Sequence, residues 1–124
     1  MRIDLITARG EINRNGIKYD LSSFDSALKN YINDIPVKYV EFVSDYDTIM
    51  SDIRRLTTVN IDEVVGTVES VYDDHIDFKP FEEYNNIDPS NYYAAFRFLG
   101  YNDKERNDDF VIKKIISVDL IKKL

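Results

Sequence analysis

The sequence contains no cysteine and no tryptophan, and it has a single histidine, His75. The lack of cysteine excludes disulfides, thiolate metal sites and cysteine nucleophiles, and a lone histidine excludes a metal site with two imidazole ligands. No stretch approaches the roughly 18 uncharged apolar residues that a membrane-spanning helix needs. Asp4 interrupts the apolar run at the N-terminus, so we expect no signal peptide.

Glycine and proline are scarce, at four and three residues, so the loops should be short or built from Asn and Asp. Acidic residues outnumber basic ones, 23 to 16, which gives a net charge of −7. This balance disfavours broad electrostatic binding to DNA or to an anionic membrane. We therefore expect neither a direct nucleic-acid partner nor a membrane partner. The 124 residues and the 44% apolar content predict one globular domain, 1–124.

The clearest periodic segment predicts an α-helix between Ser22 and Pro36. Its apolar side chains from Phe24 to Ile35 recur at helical spacing, Ser22 is the expected N-cap, and Pro36 ends the helix. A second, shorter helix is predicted over Tyr46–Leu56, where the apolar spacing is less regular.

The remaining apolar segments are rich in β-branched and aromatic residues and predict strands. Asn15-Gly16 and Asp73-Asp74 are the expected turns between them. The fold class that follows is α+β, with a mainly antiparallel sheet of six or seven short strands and one or two helices packed on it. The expected strands are Ile3–Thr7, Ile17–Tyr19, Val37–Val43, Val64–Tyr72, Ile76–Phe78, Tyr92–Leu99 and Phe110–Ile121.

Two sets of residues are candidates for chemistry. Asp73–Asp77 carries three carboxylates and His75, which could hold a hard divalent cation. Asp is equally typical of turns, so we expect a solvated hairpin turn and predict no metal and no cofactor. A serine nucleophile would depend on His75 as its base, and no serine lies in a Gly-x-Ser-x-Gly motif. Ser117 is expected to be an outward strand residue.

The candidate interface residues are Tyr93, Arg97, Lys113 and Lys114. The aromatic run Tyr92–Phe98 places Tyr93 and Arg97 outward if its even-numbered residues face the core. Tyr and Arg on an exposed sheet face are typical of protein interfaces, whereas the acidic surroundings oppose stacking on nucleic-acid bases. Lys113 and Lys114 either block pairing at a sheet edge or meet an acidic partner. The last strand should place Lys113, Ser117 and Asp119 outward, and Phe110, Ile112, Ile116, Val118 and Leu120 inward.

The order of elements resembles that of the prohead maturation proteases of tailed bacteriophages, over about residues 3–121. That family opens with an Asn-Arg-Asn-Gly-like hairpin and a helix, continues with a glycine-containing strand and an acidic turn, and ends with an Arg/Gly segment and a Val-Asp-Leu-like strand. The matching segments here are Ile12–Tyr19, Asn33–Val37, Val64–Asp74, Phe96–Gly100 and Ile116–Ile121.

The catalytic residues of that family have no counterparts in this chain. The family's histidine follows the segment that matches Ile35–Val37, but Lys38–Asp47 contains none. Its serine lies just before the Arg/Gly segment, where this chain has Ala94–Phe96. The resemblance therefore implies an inactive relative that has kept its sheet as a binding or building block.

These observations predict a non-enzymatic protein-binding domain, a small structural or accessory component of a tailed-phage particle associated with the head. Its location would be the virion or the bacterial host cytoplasm, its partners virion proteins, and it could form a homo-oligomer. An alternative is an acidic inhibitor of a host defence or nucleic-acid enzyme, encoded by a phage or mobile element, which mimics DNA. A third is a metal-dependent or small-molecule enzyme with a cleft at Asp73, His75 and Asp77.

The inhibitor hypothesis requires that acidic residues form one stripe on the surface, for example Asp45, Asp47, Asp52, Asp62 and Glu63.

Overall fold

Six strands and one α-helix form the part of the chain that the computed structural model describes, namely residues 1–13, 16–43, 57–106 and 109–122. Within these ranges the side chains of Tyr31, Asn33, 40–43, 57–62 and Arg106 are not described. The elements are β1 (Arg2–Asp4), α1 (Leu21–Tyr31), β2 (Pro36–Val43), β3 (Thr57–Val71), β4 (His75–Pro80), β5 (Tyr92–Asp103) and β6 (Asp109–Lys122).

The strands make one sheet in the order β1-β4-β3-β2-β6-β5. Strands β2 and β6 run parallel, and the other four pairings are antiparallel. The protein thus has an α+β fold, and its sheet is mixed rather than antiparallel throughout. The predicted helix over Tyr46–Leu56 lies outside the described residues.

The sheet curls until its two outer strands meet. Just beyond β1, the Ile6 N–H donates to the carbonyl oxygen of Ala94 on β5 at 3.0 Å, and Leu5 and Ala94 form a parallel bridge. The result is a half-barrel whose concave side holds the core together with α1. The core residues are Ile3, Leu5, Phe24, Ala27, Leu28, Ile35, Val37, Val65, Val68, Ile76, Phe78, Ile87, Ala94, Ile112, Ile115, Val118 and Leu120.

The N-cap of helix α1 lies two residues earlier than expected. Asp20 is the N-cap, and its side chain accepts a hydrogen bond from the Ser23 N–H at 2.9 Å, while Ser22 is exposed. The start is set by β6, because the Asp20 N–H donates to the carbonyl oxygen of Phe110 at 2.9 Å. The Ser23 hydroxyl also accepts from the Ile112 N–H at 2.9 Å. These contacts fasten the first turn of the helix to the sheet.

The strand expected at Ile17–Tyr19 is reduced to a single parallel bridge between Tyr19 and Phe110. The strand expected at Ile3–Thr7 is shorter than predicted, since β1 ends at Asp4 and Leu5 forms only an isolated bridge. The remaining expected strands are present, and each extends beyond at least one of its predicted bounds.

A β-bulge in β6 changes which residues of that strand are buried. Ile116 is an extra residue between the cross-strand pairs Arg97–Ser117 and Phe98–Ile115. Strict alternation places Ile116 in the core, but its exposed fraction is 38%, whereas that of Ile115 is 3%. The prediction for Ile116 was therefore wrong, because one inserted residue moves the inward positions by one.

Gly66 offers a test of how tightly β3 and β4 approach. A Cβ atom at Gly66 would lie 2.3 Å from the carbonyl oxygen of Lys79 and 2.9 Å from the Cα of Pro80. Strand β3 is flanked by β4 and β2 and cannot move aside. Gly66→Ala should therefore lower the free energy of unfolding by about 1–3 kcal/mol, measured by urea denaturation.

The matched control is Gly16→Asn. Gly16 has a φ of +75°, and a Cβ atom at this position would meet no heavy atom of the described residues within 4 Å. Asn tolerates the left-handed region of backbone conformation. The effect of this substitution should therefore stay within about 0.5 kcal/mol. If both variants lowered the free energy of unfolding equally, the close approach of β4 to Gly66 would be contradicted.

Candidate functional site

The two strands β5 and β6 carry all four predicted interface residues. Side chains alternate along β5 as predicted: Ala94 is fully buried inside the half-barrel, and Phe96 and Phe98 pack against the core. The residues between them therefore lie on the outer face of the sheet. Tyr93 and Arg97 belong to this outer face, but both are only half-exposed.

Arg97 is engaged in a buried polar cluster. Its Nε and a terminal nitrogen donate to one carboxylate oxygen of Asp119, at 3.0 and 2.8 Å, and the Ser117 hydroxyl donates to the other oxygen at 2.8 Å. Ser117 is completely buried and Asp119 is 7% exposed. Ser117 and Asp119 lie on the outer face, as predicted, but they are buried there rather than exposed to solvent, because they bind each other and Arg97. Arg97 acts here as the counter-ion of a buried carboxylate.

Lys113 and Lys114 lie farther along the same strand pair, and both are exposed. Lys114 is the cross-strand partner of Leu99, and the Lys113 ammonium lies 5.4 Å from the centre of the Tyr101 ring. Lys113 itself is the extra residue of a second register shift in β6. The two lysines therefore lie where the pairing of β5 and β6 is irregular.

Exposed apolar side chains accompany these lysines on the same strand pair. The exposed fractions are 56% for Leu99, 47% for Tyr101 and 38% for Ile116. We call the surface formed by Leu99, Tyr101, Lys113, Lys114 and Ile116 the ribbon face.

The structure thus joins two of the predicted interface residues, Lys113 and Lys114, to three that the sequence reasoning missed. Tyr93 pairs with Ile121 at the opposite end of β5 and lies apart from them. Continuing the alternation from Arg97 would have placed Leu99 and Tyr101 outward. Ile116 could not have been found in this way, because its exposure comes from the bulge.

The buried cluster predicts an order of stability losses. Asp119→Ala removes the acceptor of both Arg97 and Ser117 and leaves a half-buried guanidinium without that partner, so unfolding should become easier by about 2–3 kcal/mol. Ser117→Ala removes one hydrogen bond while Asp119 keeps its contacts with Arg97, and should cost about 1 kcal/mol. Urea denaturation of both variants measures the difference. A loss from Ser117→Ala as large as that from Asp119→Ala would contradict the arrangement.

The candidate acidic segment forms the turn between β3 and β4, as predicted. The Nδ1 of His75 lies 2.5 Å from an Asp74 carboxylate oxygen, and the His75 ring stacks on Tyr72 with 4.4 Å between centres. The hydrogen bond with His75 lowers the pKa of the Asp74 carboxyl. The Asp73 side chain is 91% exposed. Among the described residues, no three His, Asp or Glu side chains converge on a metal position.

Most of the acidic stripe considered for the inhibitor falls outside the described side chains, namely Asp45, Asp47, Asp52 and Asp62. Glu63 is described; it is exposed and accepts a hydrogen bond from the Tyr84 hydroxyl.

Tyr84 also belongs to a group of three tyrosines that Glu63 borders. The Tyr39 ring lies 6.0 Å from that of Tyr84 and 5.6 Å from that of Tyr92. Burial, reinforced by Tyr92, Glu63 and Tyr84, raises the pKa of the Tyr39 phenol to about 12. The hydrogen bond to the Glu63 carboxylate raises the pKa of Tyr84 as well. Folding therefore favours the protonated phenols.

This group predicts a loss of stability in alkali. Tyr39 ionises near pH 10.0 when unfolded and near 12 when folded, so its contribution is complete below pH 10.0 and declines as the pH rises toward 12. In a titration of tyrosinate absorbance, one late component should disappear in Tyr39→Phe, and the alkaline fall in stability should become shallower. Tyr101→Phe, on the exposed ribbon face, is the control. If Tyr39→Phe left the high-pH part of the titration curve unchanged, the raised pKa would not belong to Tyr39.

No helix in the described part of the chain is both long and apolar enough to cross a membrane. Comparisons with protein-family models, with curated proteins and with solved structures find no match for this chain.

Proposed function

We propose that this protein is a non-enzymatic protein-binding domain that docks through the ribbon face. The observation that carries the proposal is the exposure of Leu99, Tyr101 and Ile116 together on one surface, beside two lysines. Exposing a cluster of large apolar side chains to solvent costs free energy, and clusters of this kind mark interaction sites. Tyr and Leu supply apolar contact area, and the lysines form a charged rim.

The charge of the ribbon face differs from that of the chain as a whole. Lys113 and Lys114 are exposed in a protein whose net charge is −7. A partner that meets this surface is therefore an acidic protein surface, since opposite charges guide the approach and fix the orientation. Two copies of this acidic chain would repel each other at long range, which disfavours self-association as the main role.

The setting that we propose is the head of a tailed-phage particle, where the domain is a small structural or accessory component. The resemblance to the prohead maturation proteases supports this setting, and the missing counterparts of that family's catalytic residues support a role in binding. A head presents many copies of one surface, so that modest contacts of single domains can still give a fully decorated particle. The corresponding location is the virion, or the host cytoplasm during assembly.

The position of the single imidazole supports the non-enzymatic part of the proposal. His75 is held by Asp74 and Tyr72 at a hairpin turn. Two serine hydroxyls near the core are engaged elsewhere: Ser23 binds the backbone of α1 and β6, and Ser117 donates to Asp119.

The test is sedimentation of the purified chain with tailed-phage heads assembled from a purified capsid protein. The wild-type chain should sediment with the heads. Leu99→Asp should weaken the apparent affinity about tenfold or more, because a charged group replaces a side chain that the complex buries. Ile12→Asp makes the same kind of change at a residue that is 68% exposed elsewhere, and should have no effect.

A second pair of variants tests the charge. Lys114→Glu should weaken binding and reduce its dependence on salt, whereas Lys79→Glu, on the exposed part of β4, should not. No sedimentation with heads would overturn the phage setting, and equal affinities of Leu99→Asp and wild type would overturn the ribbon face. Cleavage of head scaffold protein that His75→Ala abolishes would overturn the non-enzymatic role.

A further inference from the structure

The half-barrel stays open along part of β5. Beyond the hydrogen bond between Ile6 and Ala94, the chain that follows β1 turns away, because the Arg9 N–H donates to the carbonyl oxygen of Asp73 at 2.8 Å. In the described ranges, β5 is the last strand of the sheet. Its outer edge is bridged by the segment that follows β1 only at Ala94, which pairs with Leu5. A slot therefore opens between residues 7–10 and the part of β5 that begins at Phe96.

The backbone of β5 points into this slot at alternate residues. The Ala94 carbonyl is turned away from β6, since it accepts from Ile6. Backbone groups of a strand alternate in direction with a period of two residues, so those of Phe96 and Phe98 turn the same way. An edge with outward N–H and C=O groups is a template for another extended chain.

A pocket of about 200 Å³ lies in the slot. Its walls are aromatic: the Phe24 ring lies 4.9 Å from that of Phe96 and 5.1 Å from that of Phe98, and the Tyr19 ring lies 4.6 Å from that of Phe98. Thr7 and Ala8 line the opposite side. An apolar cavity of about 150 Å³ is enough to hold benzene. The pocket therefore has room for one aromatic side chain.

Two exposed carboxylates lie next to Arg9, the charged residue that lines the slot. Arg9, whose side chain is 12% exposed, stacks over Phe24 with 4.6 Å from its Cζ to the ring centre and forms ion pairs with Asp25 and Asp73. Those two carboxylates are themselves 64% and 91% exposed. One guanidinium is thus paired with two carboxylates, so this group of three side chains keeps a net negative charge beside the slot.

We propose that this slot binds an extended peptide segment of a partner protein, which adds a strand beside β5, inserts one aromatic side chain into the pocket and carries basic residues next to it. The backbone edge selects an extended chain, the pocket selects the ring, and the two carboxylates select the flanking charge. The slot and the ribbon face are separate surfaces, and either can fail its test without the other.

The probe is a short peptide, blocked at both ends, with phenylalanine at its centre, threonine on each side and lysine at each end. Its addition should shift the backbone amide resonances of Thr7, Ala8, Phe96 and Phe98 in the folded protein. Replacing the phenylalanine by alanine should weaken binding about tenfold or more. Methylating the backbone nitrogens should abolish the shifts at Phe96 and Phe98, and replacing the lysines by glutamate should weaken binding most at low salt.

Protein variants give the matched controls. Ala8→Phe should fill the pocket and remove binding, whereas Ala8→Ser should bind as the wild type does. Asp73→Asn should weaken binding of the lysine-bearing peptide, and Glu82→Gln, which removes the same charge at an exposed residue of the turn Glu82–Tyr84, should not. Thermal unfolding of each variant shows whether it is folded, and the peptide series decides the question even if Ala8→Phe does not fold.

The proposal is overturned if the phenylalanine and alanine peptides bind equally, or if no amide shift occurs at Phe96 and Phe98 at millimolar peptide. It is also overturned if sedimentation shows a dimer that Ala8→Phe dissociates, because the slot would then be filled by a second copy of this chain. If Leu99→Asp no longer binds heads but still binds the peptide, the slot proposal is supported and the two surfaces are shown to be independent.

Discussion

The contact on which the structure depends is the meeting of the two ends of the sheet at Ala94. One hydrogen bond from Ile6 contributes only about 0.5–1.5 kcal/mol and could not curl six strands by itself. The curl is held by burial: Ala94 is fully buried where the chain after β1 meets β5, and Phe78 and Ile3 fill the concave side. The meeting of the sheet ends at Ala94 thereby encloses the core. Beyond Ala94, where the two ends separate, it leaves the slot.

The outer face of the strand pair β5–β6 has two halves with different physical characters. Around Asp119 the face is buried, and a carboxylate is neutralised by Arg97 and a serine hydroxyl. Around Leu99 it is open to solvent, and apolar side chains lie beside lysines. The register shifts in β6 lie between and beside these halves. A bulge increases the local twist of a strand, so the register shifts should add twist where these halves meet.

Much of the secondary structure could be predicted from the sequence because its signals are local. The period of apolar residues in α1 and the β-branched run of β2 depend only on near neighbours. The burial of Ser117 and the exposure of Ile116 depend on how β6 is aligned with β5, and alignment is a property of two segments distant in the chain. For the same reason the cap of α1 was misplaced, since Asp20 is selected by its bond to Phe110.

The candidate sites likewise combine residues that local sequence signals identify with residues that only strand pairing brings together. Lys113 and Lys114 were identifiable from composition, but their apolar neighbours on the ribbon face become neighbours only through pairing. The slot could not be predicted from the sequence, because Tyr19, Phe24 and Phe98 come from three separate segments. Each of them has the sequence pattern of an ordinary core residue. Core aromatics that leave a ring-sized space between them, beside an unpaired strand edge, are a feature of tertiary structure alone. The proposed peptide slot therefore depends on the edge that β5 leaves unpaired among the described residues, since a fully closed barrel would offer neither the edge nor the pocket.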